Sequence, residues 1–216
     1  MTKRTIEYFY STHSAYAYLG APRLMEISQA HGCSLVHRPF ELSPVVEQAG
    51  GLSFAGRSQA HVDYFFGREI ERWAQFRGLD VLDHRPTHHD NALHLSSGVL
   101  IAAHARGLDL DALSFAFLQA HWRDDIDLDD ADALATAALK VGIDAAPLID
   151  AAMKPATQAV FEDNTQRAKS LNLFGSPTYI LQGEMFYGQD HLELLNHALT
   201  TPFTPSTFRN PSVAGA

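Results

Sequence analysis

Strand-forming sequence sits at the two ends of this 216-residue chain and is missing from about residue 58 to about residue 170, and that interruption limits the fold more than any other feature. Ile6, Tyr8, Phe9 and Tyr10 form a β-branched and aromatic run that stops at the polar cluster Ser11, Thr12, His13, Ser14, the pattern of a strand feeding a helix. From Ala15 onward Tyr18, Leu19, Leu24, Met25 and Ile27 keep helical spacing despite Pro22, and Gly32 closes the segment ahead of a second strand at 34–39. Within one sheet such a unit makes the two strands parallel, joined by a right-handed crossover. Gly50 and Gly51 mark a loop, and the middle of the chain predicts helices over 61–77, 91–105, 109–121, 129–140 and 155–170, punctuated by Gly78, Gly107, Gly142 and Pro147. Asp109, Asp129 and Asp144 are placed to cap them, because a short carboxylate accepts the free amide protons of a first turn. The strand pattern returns at Thr178, Tyr179, Ile180 and Leu181, turns at Gln182 and Gly183, and runs back through Glu184 to Tyr187 as a hairpin. A helix over 189–199 comes next, then a tail from Thr201 to Ala216 rich in Pro, Thr and Ser, expected to be extended or loosely held.

Composition excludes several function classes. With 46% hydrophobic residues the chain buries a substantial core, and its net charge of −9 offers no general basic surface, so nucleic acid is not an expected partner. The basic start Met1 to Thr5 is followed by too short an apolar run for a secretory signal, and no run reaches the ~18 apolar residues of a membrane span. The single cysteine, Cys33, excludes an internal disulfide and agrees with a reducing compartment. The expectation is a cytoplasmic protein with no membrane partner, acting on a small molecule.

The element order βαβ, helical block, ββα is that of a thioredoxin-like α/β domain carrying a large all-α insertion, with residues 1–45 and 172–216 in the domain and 46–171 in the insertion. Three places then converge. At the strand-to-helix turn, where redox proteins of this fold carry a pair of cysteines, this chain has Ser14, Ala15, Tyr16 and Ala17. It cannot cycle a disulfide there, but a helix amino terminus still suits an anion, and the natural candidate is a thiolate brought in from outside, that of glutathione. A free thiol pKa near ~8.5 drops by about one unit when a hydroxyl hydrogen bond and a helix terminus together contribute ~1–2 kcal/mol. Ser14 is the donor; its plain alternative is an ordinary helix cap. The second place is Gly175, Ser176, Pro177 and Thr178, where a cis proline turns the backbone of Ser176 outward to pair with an extended peptide. The third is Gly188, Gln189 and Asp190, whose free amides and carboxylate match the amino-acid head of a γ-glutamyl group.

The segments Tyr8 to Tyr10, Ser14 to Leu19, Arg68 to Ala74, Phe174 to Thr178 and Gly183 to Asp190 resemble those of the 2-hydroxychromene-2-carboxylate isomerases, over essentially residues 6–200 and with the strongest likeness at the two ends. That family is similar in fold to DsbA-type oxidoreductases and in glutathione use to the kappa-class transferases. The resemblance makes Ser14 the catalytic serine, Pro177 the cis proline, and Gln189 and Asp190 the γ-glutamyl pair, with Ser176 beside them. It implies an isomerase acting by reversible thiolate addition to an unsaturated aromatic substrate, or a transferase using the same thiolate; a non-catalytic peptide- or glutathione-binding module is the rival from another class. The family usually has proline after its serine and often arginine after its aspartate, where this chain has Ala15 and His191. Dimers are common for such a fold, so a homodimer is one assembly it allows.

Other residues carry weaker readings. His13, next to Ser14, offers an acid or base, although an exposed turn histidine is the default description. Asn91 opens the inner part of the insertion, which in this fold lies over the site, and so is expected to face substrate. Twelve histidines include His88 and His89, but adjacent loop histidines lack a spaced pair and a third ligand, so no metal is expected. Arg57, His61 and Tyr64 suit a covering helix, while Tyr64, Phe65, Phe66 and Trp73 have the spacing of core packing. Cys33 is expected to be a small buried hydrophobe away from the site.

Overall fold

The computed structural model describes residues 4–212; the first part of the basic start and the last four residues of the tail lie outside them. Four strands form one sheet in the order β2-β1-β3-β4: β1 (Thr5–Tyr10), β2 (Ser34–Pro39), β3 (Thr178–Leu181) and β4 (Glu184–Tyr187). β1 runs parallel to β2 with Thr5 beside Ser34, and antiparallel to β3 with Phe9 beside Thr178. The carboxyl end of β1 and the amino end of β3 therefore share one edge of the sheet. Gln182 and Gly183 make the β3–β4 turn with φ of 53° and 89°, the two positive values a tight hairpin needs, and glycine takes the second at no steric cost.

Alternation in β1 sends Ile6, Tyr8 and Tyr10 to one face and Phe9 to the other. The first face packs on α1 (Ala15–Ala30), the carboxyl-terminal helix α10 (Leu192–Thr200) and the insertion in one continuous core. The second is smaller, closed by Phe40, Val45, Ala168 and Leu173 from α2 (Leu42–Gln48), α9 (Pro155–Ser170) and their flanks. On that side Glu7 accepts from Arg38 at 3.0 Å and from Arg167 at 2.9 and 2.6 Å, tying β1, β2 and α9 together. Hydrogen bonds from Arg167 and then Arg38 hold the Glu7 carboxyl below its ordinary value. The stabilisation is complete above the unfolded pKa of ~4.3 and is lost as pH falls through the lower folded value. Glu7→Gln is expected to cost ~1–3 kcal/mol at neutral pH and to flatten the acid limb of a denaturation-versus-pH series; an unchanged limb would contradict the assignment.

The insertion contributes α3 (Gln59–Asp63), α4 (Glu69–Arg77), α5 (His94–His104), α6 (Leu110–Trp122), α7 (Ala131–Leu139) and α8 (Ala146–Ala152). Gly98 lets α5 lie against α8: a Cβ there would sit 2.5 Å from the Ala152 carbonyl oxygen. Asp109 caps α6 as expected, whereas Asp130 rather than Asp129 caps α7, accepting from the amides of Asp132 and Ala133. Two short helices escape sequence reading: α2 has a proline in its first turn, and α8 has Pro147 there, where a proline lacks only an amide that would go unpaired anyway. The expected continuous helix over 61–77 is interrupted by a π-helical turn, Tyr64–Arg68, between α3 and α4. Among the described residues no helix is long and apolar enough to cross a membrane, and residues 202–212 form no regular element.

Candidate functional site

Ser14 closes the loop after β1 and caps α1, its Oγ accepting from the Ala17 amide at 3.2 Å. No acidic residue occupies the first turn of α1, so no carboxylate of the helix itself offsets the partial positive charge of that terminus. The Ser14 hydroxyl donates to the Ser176 carbonyl at 3.2 Å, and the Ser11 amide donates to Ser176 Oγ at 3.0 Å. The Ser176–Pro177 bond is cis, as expected, and the Pro177 carbonyl accepts from the Gly188 amide at 2.9 Å. Three loops distant in sequence thus form one continuous hydrogen-bonded surface, and Ser14, Ser176 and Pro177 meet on it.

A cavity of about 240 Å³ opens over this surface. Ser14 and Ser176 are in its floor; Tyr16, Phe65, Phe66, Trp122 and Tyr187 supply aromatic walls. A second lobe of about 440 Å³ shares Ser11, His13, Phe54, Arg57, Arg85 and His89 with the first. Two cations stand in a chain of net charge −9: the Arg57 guanidinium lies 5.0 Å over Phe66 and that of Arg85 lies 5.2 Å over Phe54. Arg85 is also paired with Asp90 at 2.8 and 2.5 Å. Burial, with help from Glu69 and Asp190, pushes the Tyr16 phenol up, so it stays protonated and donates to the Phe65 carbonyl inside the π turn.

Other sequence expectations need correction. His13 is not an exposed turn residue: it is 6% accessible, its ring stacked on that of His121 at 4.2 Å, because β1 delivers the loop into the insertion rather than to solvent. Burial, together with the neighbouring His121, holds His13 down to about 3; the same causes hold His89 to about 3, and burial holds His121 to about 4. All three are neutral at pH 7. Gln189 is 1% exposed, takes Arg77 on its Oε1 at 3.1 Å and is not in the cavity wall, so its side chain braces the loop from behind. Asp190 is more than half exposed, adjacent to Gly188, and its charge reaches Tyr16 and Tyr187 in the wall. Asn91 lines only the second lobe and donates to Asp127 at 2.8 Å. Of the residues assigned to core packing, Tyr64 is exposed and Phe65 forms cavity wall, while Trp73 and Phe66 do pack against the core, Phe66 lining the cavity as well. Cys33 is buried at the start of β2, by the sheet edge opposite Ser14. His121, Arg85 and Trp122 are the contributions that sequence reading missed, and His89, set aside there as a metal ligand, also lines the cavity. The Trp122 indole N–H donates to the His13 carbonyl at 2.8 Å, a contact between segments 109 residues apart.

A 2-hydroxychromene-2-carboxylate isomerase of Sphingobium xenophagum is 26% identical over 200 residues, covering 92% of this chain and 99% of that protein. A solved 2-hydroxychromene-2-carboxylate isomerase superposes with a TM-score of 0.73 at 23% identity, over 90% of this chain and 94% of the other. The cytosolic disulfide reductase DsbM of Pseudomonas aeruginosa, in a structure described with GSH, superposes with a TM-score of 0.62 at 17% identity over 92% and 93% of the two chains. The family model of the DSBA-like thioredoxin domain matches residues 5–200, and with that match spanning both strand-bearing ends and the whole insertion, the chain belongs to this family.

Proposed function

We propose that this protein is a glutathione-dependent isomerase of the 2-hydroxychromene-2-carboxylate isomerase type, acting on an unsaturated aromatic substrate. One observation carries the reading: a serine hydroxyl, not a thiol, occupies the amino end of α1 at the floor of an aromatic cavity, in a chain whose single cysteine lies elsewhere. That site has no dithiol for redox exchange yet keeps the electrostatics that favour a thiolate. The names of the relatives and the GSH in the DsbM structure support the same choice.

Glutathione, held by Ser14, Ser176 and the loop at Asp190, would supply a thiolate nucleophile for reversible addition to an electrophilic carbon of the conjugated substrate, permitting rotation about the former double bond. The chain's residues prepare that sulfur. Ser14 turns its hydroxyl from the Ser176 carbonyl toward the thiolate, and the carbonyl so released accepts an amide of the extended tripeptide. Asp190 takes the ammonium of the γ-glutamyl end, while Arg77 and Gln189 hold the loop that carries it. Tyr16, Phe65, Phe66 and Trp122 flank a planar ring, and Arg57 and Arg85 attract an anionic one. Calorimetry with glutathione, then chromatography of a chromene carboxylate incubated with a substoichiometric amount of it, tests the reading. Saturable binding and isomer formation over many turnovers are expected. Absence of binding overturns the cofactor, and accumulation of a sulfur conjugate overturns the isomerase in favour of a transferase.

A further inference from the structure

Three imidazoles from distant segments meet beside Ser14. His13 comes from the loop after β1, His89 from the loop ahead of α5, and His121 from the last turn of α6. One ring nitrogen of each lies within 4.8 Å of one nitrogen of each of the others. The sequence offered only His88 and His89 for a metal and no third ligand; the fold supplies two more imidazoles, from positions 13 and 121.

Hydrogen bonds decide which nitrogens are available. A carbonyl only accepts, so His13 Nδ1, 3.1 Å from the His89 carbonyl, carries a proton, and so does His121 Nδ1, 3.2 Å from that of Ile126. Both neutral rings therefore present Nε2 as a bare lone pair. His89 Nδ1 donates to His121 Nε2 at 2.9 Å. Among the described residues His13 Nε2 has no hydrogen-bond partner, in a ring that is 6% exposed. A buried acceptor left without a partner calls for a ligand. Imidazoles whose second nitrogen is pinned by a backbone carbonyl have the outer-shell support found around metal-ligating histidines.

We infer that His13 Nε2, His89 Nδ1 and His121 Nε2 bind one divalent transition-metal ion, with zinc the natural occupant and a fourth position open to the cavity. On binding, His89 moves its proton from Nδ1 to Nε2 and stays neutral. Three imidazoles suit zinc, copper or nickel rather than calcium or magnesium, and three protein ligands with one open position is the catalytic rather than the structural arrangement. His13 and His89 both line the cavity, so the open position faces it. The carboxylates of Asp90, Asp125 and Asp127 lie close enough for their charges to act on these rings and offset that of an ion.

The spacing is largely in place. With nitrogens at 2.0–2.1 Å from a tetrahedral ion, imidazole centroids fall ~5 Å apart. His89 lies 5.3 Å from His13 and 5.2 Å from His121. His13 and His121 are closer, 4.2 Å with an interplanar angle of 8°, a stack whose lone pairs run parallel. Coordination requires His13 to tilt and open by ~1 Å about its Nδ1 hydrogen bond to the His89 carbonyl, a movement that breaks no hydrogen bond at Nε2.

Chelator-stripped full-length protein is titrated with zinc by calorimetry and with cobalt(II) monitored by visible absorption. One equivalent per chain is expected, with ligand-field bands of a four-coordinate nitrogen and oxygen set. His13→Gln and His89→Gln, each with circular dichroism to confirm folding, are expected to weaken binding by at least roughly tenfold, with His88→Gln, on the exposed neighbour, leaving it unchanged. Absence of stoichiometric binding, or equal affinity in the His13 and His89 variants, would place any ion on surface histidines and overturn the site.

Discussion

Ser14→Ala is expected to lower turnover roughly 10- to 100-fold at neutral pH while leaving glutathione affinity nearly unchanged, because a hydrogen bond to a charged group is worth ~1.5–3 kcal/mol. The split arises from where the residue sits. In the proposed complex its hydroxyl would turn to the sulfur, whereas Ser176 would hold the tripeptide backbone and the loop at Asp190 the γ-glutamyl end. The same substitution removes the cap on the Ala17 amide and so costs ~1 kcal/mol of stability. Ser14→Thr keeps cap and hydroxyl and is the control. Thiolate absorbance of bound glutathione, measured against pH, should show its pKa rising in the alanine variant by the hydroxyl's part of the roughly one unit that hydroxyl and helix terminus together contribute. Unchanged turnover in Ser14→Ala would reduce the residue to a helix cap.

Trp122→Ala is expected to destabilise the protein by ~3–5 kcal/mol, measured by urea denaturation, since the indole is 5% exposed and large buried aromatics leave cavities the surroundings do not refill. Trp122→Phe separates packing from polarity. It keeps most of the ring but leaves the buried His13 carbonyl without the indole N–H, for ~1–3 kcal/mol. Because that carbonyl belongs to the residue before Ser14, the phenylalanine variant is also expected to lose activity beyond its loss of stability. A phenylalanine variant with full stability and full activity would show that the indole N–H holds nothing in place.

The two ends of the chain were legible because their signals are local. Aromatic and β-branched runs broken by Gln182 and Gly183, a serine at a strand-helix junction and a proline before a strand each specify a conformation without reference to distant residues. Ser14, Ser176 and Pro177 were found that way, and pairing β1 antiparallel to β3 brings them together. The insertion's share of the site was legible only in part: Arg57 and Asn91, expected over the site, do line its lobes. Nothing near His121 or Arg85 in sequence says that α6 and the loop ahead of α5 close over residue 13; that is decided by packing among helices with no register to read. Gln189 shows the complementary failure. The short helical turn after Gly188 aims its side chain at Arg77 instead of the cavity.

The π turn at Tyr64–Arg68 holds one residue more than a regular helix would, and that surplus has a geometric consequence. Each residue of an α-helix advances about 100° around its axis. Shortening the segment by one would let α3 and α4 merge into an unbroken spiral, rotating α3 by that angle relative to α4. Phe65 would then leave the cavity, and the carbonyl now capped by Tyr16 would return to its own helix. The shape of the aromatic wall is thus set by a count of residues as much as by their identity, so a chain of the same fold lacking that extra residue would present a different opening to its substrate.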